Sequence, residues 1–497
     1  MPDSTTTPDQ NSPDALPKAC MELSRDEMKA LGYEIVDIIV EHYEALADLP
    51  VTLTTDRPTL EKALREPLPE EPTDFREVLE QTKRDVFAHA MYTEHPRFFA
   101  FVPGPSNFVS AMAASLATGY NAFAGTWMEA SGPAMVELVA IDWLRQMLGL
   151  PEGAGGQFVS GGSMANLEAL VTARHVKLSG RNEKGVLYYS DQTHSSVDRG
   201  LRVLGFHPEQ IRKIPADVNY HMPMPALERA VYEDRDAGLT PFCVIANAGT
   251  TNTGAIDPLP EMAAFCRENG LWLHVDAAYG GAVSLTERGK ALLEGIGEAD
   301  SVTIDPHKWL FQPYDMGCVL VKDPRQLRQT FRLVPEYLKD TDSRSEQEVN
   351  FYDYGVQLTR GFTALRLWMS IKIFGIAAFR DAVQGGIEQA EYLESLLRPD
   401  KRWDIVTPAH IGVITFQYMH PKLKPANIDE VNRRIVDEMV EDGFAMIATT
   451  VLRGRTVQRM CTINPRTTHD DLRETLKRMG DAGDRLAAQM IAERKRS

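Results

Sequence analysis

The chain has 497 residues, 43% of them hydrophobic and 25% charged, with a formal net charge of −17. That length suits a large central domain with a smaller one beside it, and the acidic balance argues against nucleic acid or an anionic membrane as partner, since both demand basic patches. No run of about eighteen apolar residues occurs, so no membrane span is expected.

The opening stretch, PDSTTTPDQNSPDALP, is polar and acidic and lacks the basic and apolar parts of a signal peptide; it reads as a disordered tail over residues 1–20. MELSRDEMKALGYEIVDIIVEHYEAL then shows apolar residues at helical spacing, with Ser24 as N-cap. A Pro-rich crossing (Pro58, Pro67, Pro69, Pro72) leads to a second helix from Phe75 to His89. A helical arm of this kind, over residues 21–92, cannot bury its apolar face alone, so packing against a second subunit is expected. HPRFFAF is a strand-like aromatic run broken by Pro103-Gly104-Pro105. Its aromatics either pack a core or, at Phe101, Val102 and Pro103, line a substrate pocket. A long helix follows from about Gly132 to Leu148.

From Gly156 to about Asp323, short β-rich runs alternate with helical patterns, as in a doubly wound α/β sheet. The strands are GQFVS, GVLYYS, PFCVIANA, LWLHVDA, SVTID and GCVLVKD. After Gly361 the chain is helical, then α+β, with VITFQYM and QRMCTIN as strands, and it ends in a charged amphipathic helix. The five cysteines (Cys20, Cys243, Cys266, Cys318, Cys461) show no metal-ligand spacing. Reduced thiols in a cytoplasmic protein, with neither disulfide frame nor metal site, are the expectation.

In such sheets a ligand sits beyond the carboxyl ends of the strands. Ser160-Gly161-Gly162-Ser163 ends one strand and opens a helix, whose free N–H groups suit an anion. His194 follows GVLYYS, Thr251 follows PFCVIANA and could offer a hydroxyl to a ligand, and Asp276 ends LWLHVDA beside the small Ala277 and Ala278. An acid at the end of a buried strand is costly unless it meets a cation. Lys308, in DPHKWL, has apolar neighbours on both sides, and desolvation there lowers an amine's pKa and suits it to a Schiff base. Taken singly each residue also has a structural reading: a snorkelling lysine, a hydrogen-bonded histidine, an ordinary strand–helix turn. One ligand accounts for the set, pyridoxal 5′-phosphate. Gly162, Ser163 and His307 would hold its phosphate, His194 and Ala278 would cover the two ring faces, Asp276 would bind the ring nitrogen, and Lys308 would carry the aldehyde carbon.

The chain resembles the group II pyridoxal-phosphate amino-acid decarboxylases, and most of all the aromatic-L-amino-acid decarboxylases. The matching stretches are HPRFFAF, PAMVELVAIDWLRQMLGLP, SDQTHSSV, AGTTNTGAIDPL, LWLHVDAAYGG, DPHKWL, PEYLKD and LTRGFTALRLWM. The resemblance implies fold type I: an α/β fold with a mostly parallel seven-stranded sheet in a large domain (93–375), the helical arm, and a small α+β C-terminal domain (376–497). It implies a homodimer with active sites near the interface, acting on a small-molecule substrate, an aromatic L-amino acid, by α-decarboxylation to the amine and carbon dioxide. It also implies that His194 takes part in the proton steps and that Tyr337, in the PxYLK motif, is catalytic. The position of Gln357, usually glycine or serine in plant relatives, helps select the aromatic ring there. Two departures stand out: Asp305 where many relatives carry asparagine, and Phe101-Val102-Pro103-Gly104 in place of the aromatic-aromatic-Pro-Thr order of the animal enzymes. Decarboxylases of glutamate, diaminobutyrate or sulfinate type, and aldehyde synthases that couple decarboxylation to deamination, remain the alternatives.

Overall fold

Four adjoining strands of the chain, PFCVIAN, WLHVD, SVTI and GCVLV, are buried on both faces or nearly so, which is why they read as continuous apolar runs and not as alternating ones. They form the middle of a seven-stranded sheet in a computed structural model that describes residues 21–181, 183–333 and 347–496. In chain order the strands are β1 (Gly155–Val159), β2 (Gly185–Ser190), β3 (Ile211–Ile214), β4 (Thr240–Asn247), β5 (Trp272–Asp276), β6 (Ser301–Ile304) and β7 (Gly317–Val321). Their spatial order is β1-β7-β6-β5-β4-β2-β3. All neighbours are parallel except β7, which runs antiparallel to both β6 and β1. The two reversals cancel, so β1 ends at the same edge of the sheet as β2, β4, β5 and β6.

A second sheet is wholly antiparallel and contains β8 (Trp403–His410), β9 (Val413–Tyr418), β10 (Ala448–Leu452) and β11 (Arg455–Cys461), in the order β10-β11-β9-β8. The helices Pro425–Asp442 and His469–Arg496 supply apolar side chains to its core, among them Val431, Ile435, Leu472 and Met479. The helix Leu365–Leu397 precedes this sheet and breaks at Gly375, whose φ of +75° suits glycine.

The chain divides into two compact units, one of them Thr55–His89 with the described residues before Pro50, the other Pro50–Thr54 with everything from Ala90 onward. In the first, α1 (Arg25–Ala45) starts at Ser24 in a capping box, with Glu27 N–H donating to Ser24 Oγ and Ser24 N–H donating to Glu27 Oε2. The Pro-rich crossing contains α2 (Arg57–Leu64), which Pro58 can open because the first helical turn needs no N–H there. The helix expected over Phe75–His89 is α-helical only as α3 (Phe75–Gln81), continuing as a π turn over Thr82–Val86 and a 3-10 turn over Phe87–His89.

In the second unit, HPRFFAF is not a strand. Phe98 makes one isolated bridge to Met446, and Phe101 takes φ +51°, which ends any extended run. The helices α4 (Phe108–Tyr120) and α5 (Trp127–Met147) follow, α5 kinking at Ala130 ahead of Pro133. Inside α5, Glu137 is fully buried and meets Arg360 Nη2 at 2.6 Å; the same nitrogen donates to Phe158 O at 2.8 Å, and Phe158 N–H donates to Glu137 Oε1 at 3.0 Å. This pair ties α5 to β1 behind the site. Arg360→Ala leaves a buried carboxylate without its cation and is expected to destabilise the fold by about 3–5 kcal/mol in urea unfolding; a loss below about 1 kcal/mol, as for a surface pair, would contradict that account. No helix among the described residues is long and apolar enough to cross a membrane.

Candidate active site

The common edge where β1, β2, β4, β5 and β6 end holds a cavity of about 360 Å³, within the range of small-molecule sites. Ser160, Gly162, Ser163, His194, Thr251, Asp276, Ala278, His307 and Lys308 all line it. The eight cofactor-contact positions expected from the sequence therefore converge.

β1 feeds directly into α6 (Gly162–Leu178), whose first-turn N–H groups open toward the cavity. Glycine is required at position 162, because a Cβ there would lie 2.8 Å from Asp305 Oδ2 and 3.3 Å from Ala278 Cβ. β2 leads to His194, the N-cap of α7 (Ser195–Val203). Its Nδ1 accepts from the Ser196 N–H at 3.2 Å and lies 2.9 Å from Ser196 Oγ. Burial lowers the His194 pKa, so the ring is neutral at neutral pH, with its proton on Nε2. Asp276 closes β5 at 8% exposure; its Oδ2 accepts from Asn166 Nδ2 at 2.9 Å and its Oδ1 from the Ala278 N–H at 3.2 Å.

After β6 the chain turns through Asp305-Pro306-His307-Lys308. Lys308 Nζ lies 3.0 Å from Asp305 Oδ2, and its side chain is 24% exposed. The sequence reading expected desolvation to lower this amine's pKa, and the structure corrects it. Burial does pull it down, but the Asp305 and Asp276 carboxylates together outweigh burial, and the balance lies above the ordinary lysine value. His307 Nδ1 accepts the Met316 N–H at 3.1 Å, while burial lowers its pKa and Asp305 partly opposes that.

Six lining residues were not singled out from the sequence, Gly249, Thr250 and Tyr279 among them. The others are Asn166, Ser196 and Asn247. Asn247 Nδ2 donates to Asp257 Oδ2 at 2.9 Å and Thr193 Oγ1 at 3.1 Å. The available signal for Asn166 was a lone amide on the buried face of GSMANLEALV, four residues after Gly162. The remaining expected residues lie elsewhere. Phe101 is 58% exposed, Val102 and Pro103 pack away from the cavity, and Gln357 is exposed, so none of the four lines it within one chain. Tyr337 lies outside the described residues.

The donor set fits pyridoxal phosphate. Free helix-terminal N–H groups and a side-chain-free Gly162 suit a phosphate, Asp276 suits a protonated ring nitrogen, and an amine opens onto the same cavity from the next strand. Asp305 departs from an all-donor cradle: one carboxylate oxygen holds Lys308, and the other is buried without a hydrogen-bond partner.

Sheet order, strand-end constellation and cavity together define a fold-type-I pyridoxal-phosphate enzyme. The family model described as "Pyridoxal-dependent decarboxylase conserved domain" matches residues 58–419, and the chain belongs to that family of decarboxylases. It is 47% identical over 460 residues to an aromatic-L-amino-acid decarboxylase of Bacillus atrophaeus, covering 92% of this chain and 96% of that one. It is 30% identical over 472 residues to phenylacetaldehyde synthase of Arabidopsis thaliana, covering 93% and 96%. The structure of Oryza sativa TDC with PLP and tryptamine matches at a TM-score of 0.90 and 29% identity, covering 94% of this chain and all of the other.

Proposed function

We propose that the protein is a cytoplasmic, homodimeric decarboxylase that converts an aromatic L-amino acid to its amine and carbon dioxide. The observation that carries the reading is the placement of the Lys308 amine and the Asp276 carboxylate at the ends of neighbouring strands on one cavity. The 47% identity to an aromatic-L-amino-acid decarboxylase supports the aromatic class. Buried free thiols at Cys243, Cys266, Cys318 and Cys461 agree with a reducing compartment. The exposed apolar side chains of α1 (Met28, Tyr33, Ile35, Val40) agree with a second subunit covering them.

Pyridoxal phosphate, when bound, supplies an electron sink for the pair left behind as the carboxylate departs. Gly162, Ser163, Thr251 and His307 would hold it by its oxygens, Asp276 by its ring nitrogen, Lys308 by a covalent bond, and Ala278 and His194 by its faces. Lys308 Nζ would hold the cofactor and, when free of it, would accept or return a proton within the cavity. Neutral His194 would present its Nε2–H to the cavity as a donor. Tyr337 Oη gives the proton that replaces the carboxylate. Phe101 and Gln357, exposed in the single chain, would meet the substrate side chain across the dimer interface.

Carbon dioxide release from a panel of amino acids tests the substrate class. Turnover of tryptophan, tyrosine, phenylalanine or their hydroxylated forms is expected; turnover of glutamate, diaminobutyrate or a sulfinate in their place would overturn the aromatic assignment. Tyr337→Phe is expected to keep the bound cofactor's visible band while amine formation falls by about 10²-fold or more. Unchanged amine formation in that variant would remove Tyr337 from the mechanism.

A further inference from the structure

His274 is fully buried within β5, and the chemistry above does not use it. Burial pulls its imidazole down to about 4, so the ring is neutral and carries one N–H. The direction of every hydrogen bond around it follows from what each group can do. Trp272 Nε1 can only donate, and it reaches Ser301 Oγ at 2.8 Å. The same Ser301 oxygen lies 2.8 Å from His274 Nδ1. The Asp276 carboxylate can only accept, so Asn166 turns its Nδ2 to it and its Oδ1 to His274. The single His274 N–H therefore sits on Nε2 and donates to Asn166 Oδ1 at 2.9 Å, where the Thr303 hydroxyl donates too, at 2.7 Å, and the Ser301 hydroxyl donates to Nδ1.

With two donors at its oxygen, Asn166 turns its Nδ2 to Asp276 Oδ2 at 2.9 Å and to Ser196 Oγ at 3.0 Å. The flipped amide would set an oxygen against a carboxylate and an NH₂ against two donors, so chemistry admits one orientation. Ser196 Oγ, having accepted from Asn166, donates to His194 Nδ1. All four hydrogen-bonding capacities of one buried amide are used, two received from the core and two sent into the cavity wall.

We propose that Asn166 is a positioning residue for the decarboxylation, one amide that orients Asp276 toward the cofactor and fixes His194 as the Nε2–H tautomer. This rests on the reading that Asp276 and His194 meet pyridoxal phosphate. The charged groups acting on His194 are Asp276, Lys308, Asp305 and Arg199; amid them the Ser196 N–H holds Nδ1 as an acceptor, and Asn166 adds a second, neutral donor there by aiming the Ser196 hydroxyl. Asn166 offers that without adding charge, whereas an aspartate of the same shape would repel Asp276.

The test uses holoenzyme, the pH titration of its visible band, and its affinity for pyridoxal phosphate. Asn166→Asp is expected to move the titration midpoint by about one pH unit or more and to weaken cofactor binding at least about tenfold. Ser196→Ala cuts only the His194 branch and is expected to lower kcat about tenfold with cofactor affinity held within about twofold. Thr303→Val removes one donor but leaves His274 to hold the amide, so it is expected to lower the unfolding temperature and to leave midpoint and affinity in place. A folded Asn166→Asp enzyme with the wild-type midpoint and affinity would overturn the proposal, as would a Thr303→Val shift of equal size, which marks a merely structural role. Should Asn166→Asp not fold, an unchanged kcat in Ser196→Ala overturns it. Wild-type protein that shows no visible band with added pyridoxal phosphate would sink the cofactor-contact reading instead, which separates the two failures.

Discussion

Lys308→Ala is expected to lose the visible absorption of bound cofactor and to form amine at least about 10³-fold more slowly than the wild type. The size of the effect follows from the residue's two duties. Its Nζ is the amine that opens onto the cavity at the end of β6, and in the proposed reaction the same atom would also carry protons. The Asp305 contact at 3.0 Å adds a chemical consequence, because that carboxylate favours the charged amine, which is not a nucleophile. The amine becomes reactive when its proton moves off. Cofactor loading of the empty wild-type protein is accordingly expected to accelerate as pH rises. Spectra and steady-state rates on the purified variant check the main prediction. A retained visible band, or turnover within about tenfold of wild type, would place the covalent link elsewhere.

The second large effect is expected at Asp276. Asp276→Ala removes the carboxylate that in the proposed site would face the ring nitrogen, and would leave that buried cation unpaired at a cost of roughly 3–5 kcal/mol. At about 1.4 kcal/mol per decade that amounts to two to three orders of magnitude or more, shared between cofactor affinity and kcat. The side chain is 8% exposed and held at both oxygens, by Asn166 and by the Ala278 N–H, so water replaces it poorly. Equilibrium dialysis of pyridoxal phosphate together with rate measurements would separate the two contributions. A loss below about tenfold in both would mean that the carboxylate does not meet the ring.

Much of this was legible in the chain because burial leaves marks on sequence. β4 to β7 are covered on both faces and so read as unbroken apolar runs, and their ends carry the polar residues that meet in the cavity. β3, IRKI, was missed because it is an edge strand whose Arg212 and Lys213 pair with Asp234 and Asp198 and not with a core. HPRFFAF looked like a strand for the opposite reason: Phe98 and Phe99 are buried, but Phe98 packs beside Met446 through an isolated bridge and not a ladder. Composition records burial and not hydrogen-bond partners.

The same limit explains the site. Gly162, Asp276 and Lys308 stand out by residue type at strand ends, where their chemistry is costly unless used. Asn166 does not, because one amide on an otherwise apolar helix face is unremarked until Asp276, His274 and Thr303 are seen to converge on it from two strands. Lys308 shows how a correct position can carry a wrong sign. The flanking runs are apolar, but Asp305 stands three residues before the amine in the same stretch, and the fold adds Asp276 from the neighbouring strand. Phe101 and Gln357 illustrate a third case, since the resemblance points to a pocket role and neither residue lines the strand-end cavity of the single chain.

Borohydride reduction of the holoenzyme, followed by peptide mapping, tests the central claim most directly. The account predicts a single stable pyridoxyl adduct, on Lys308, in stoichiometry with the activity lost. An adduct on any other lysine, or full inactivation without one, would contradict it.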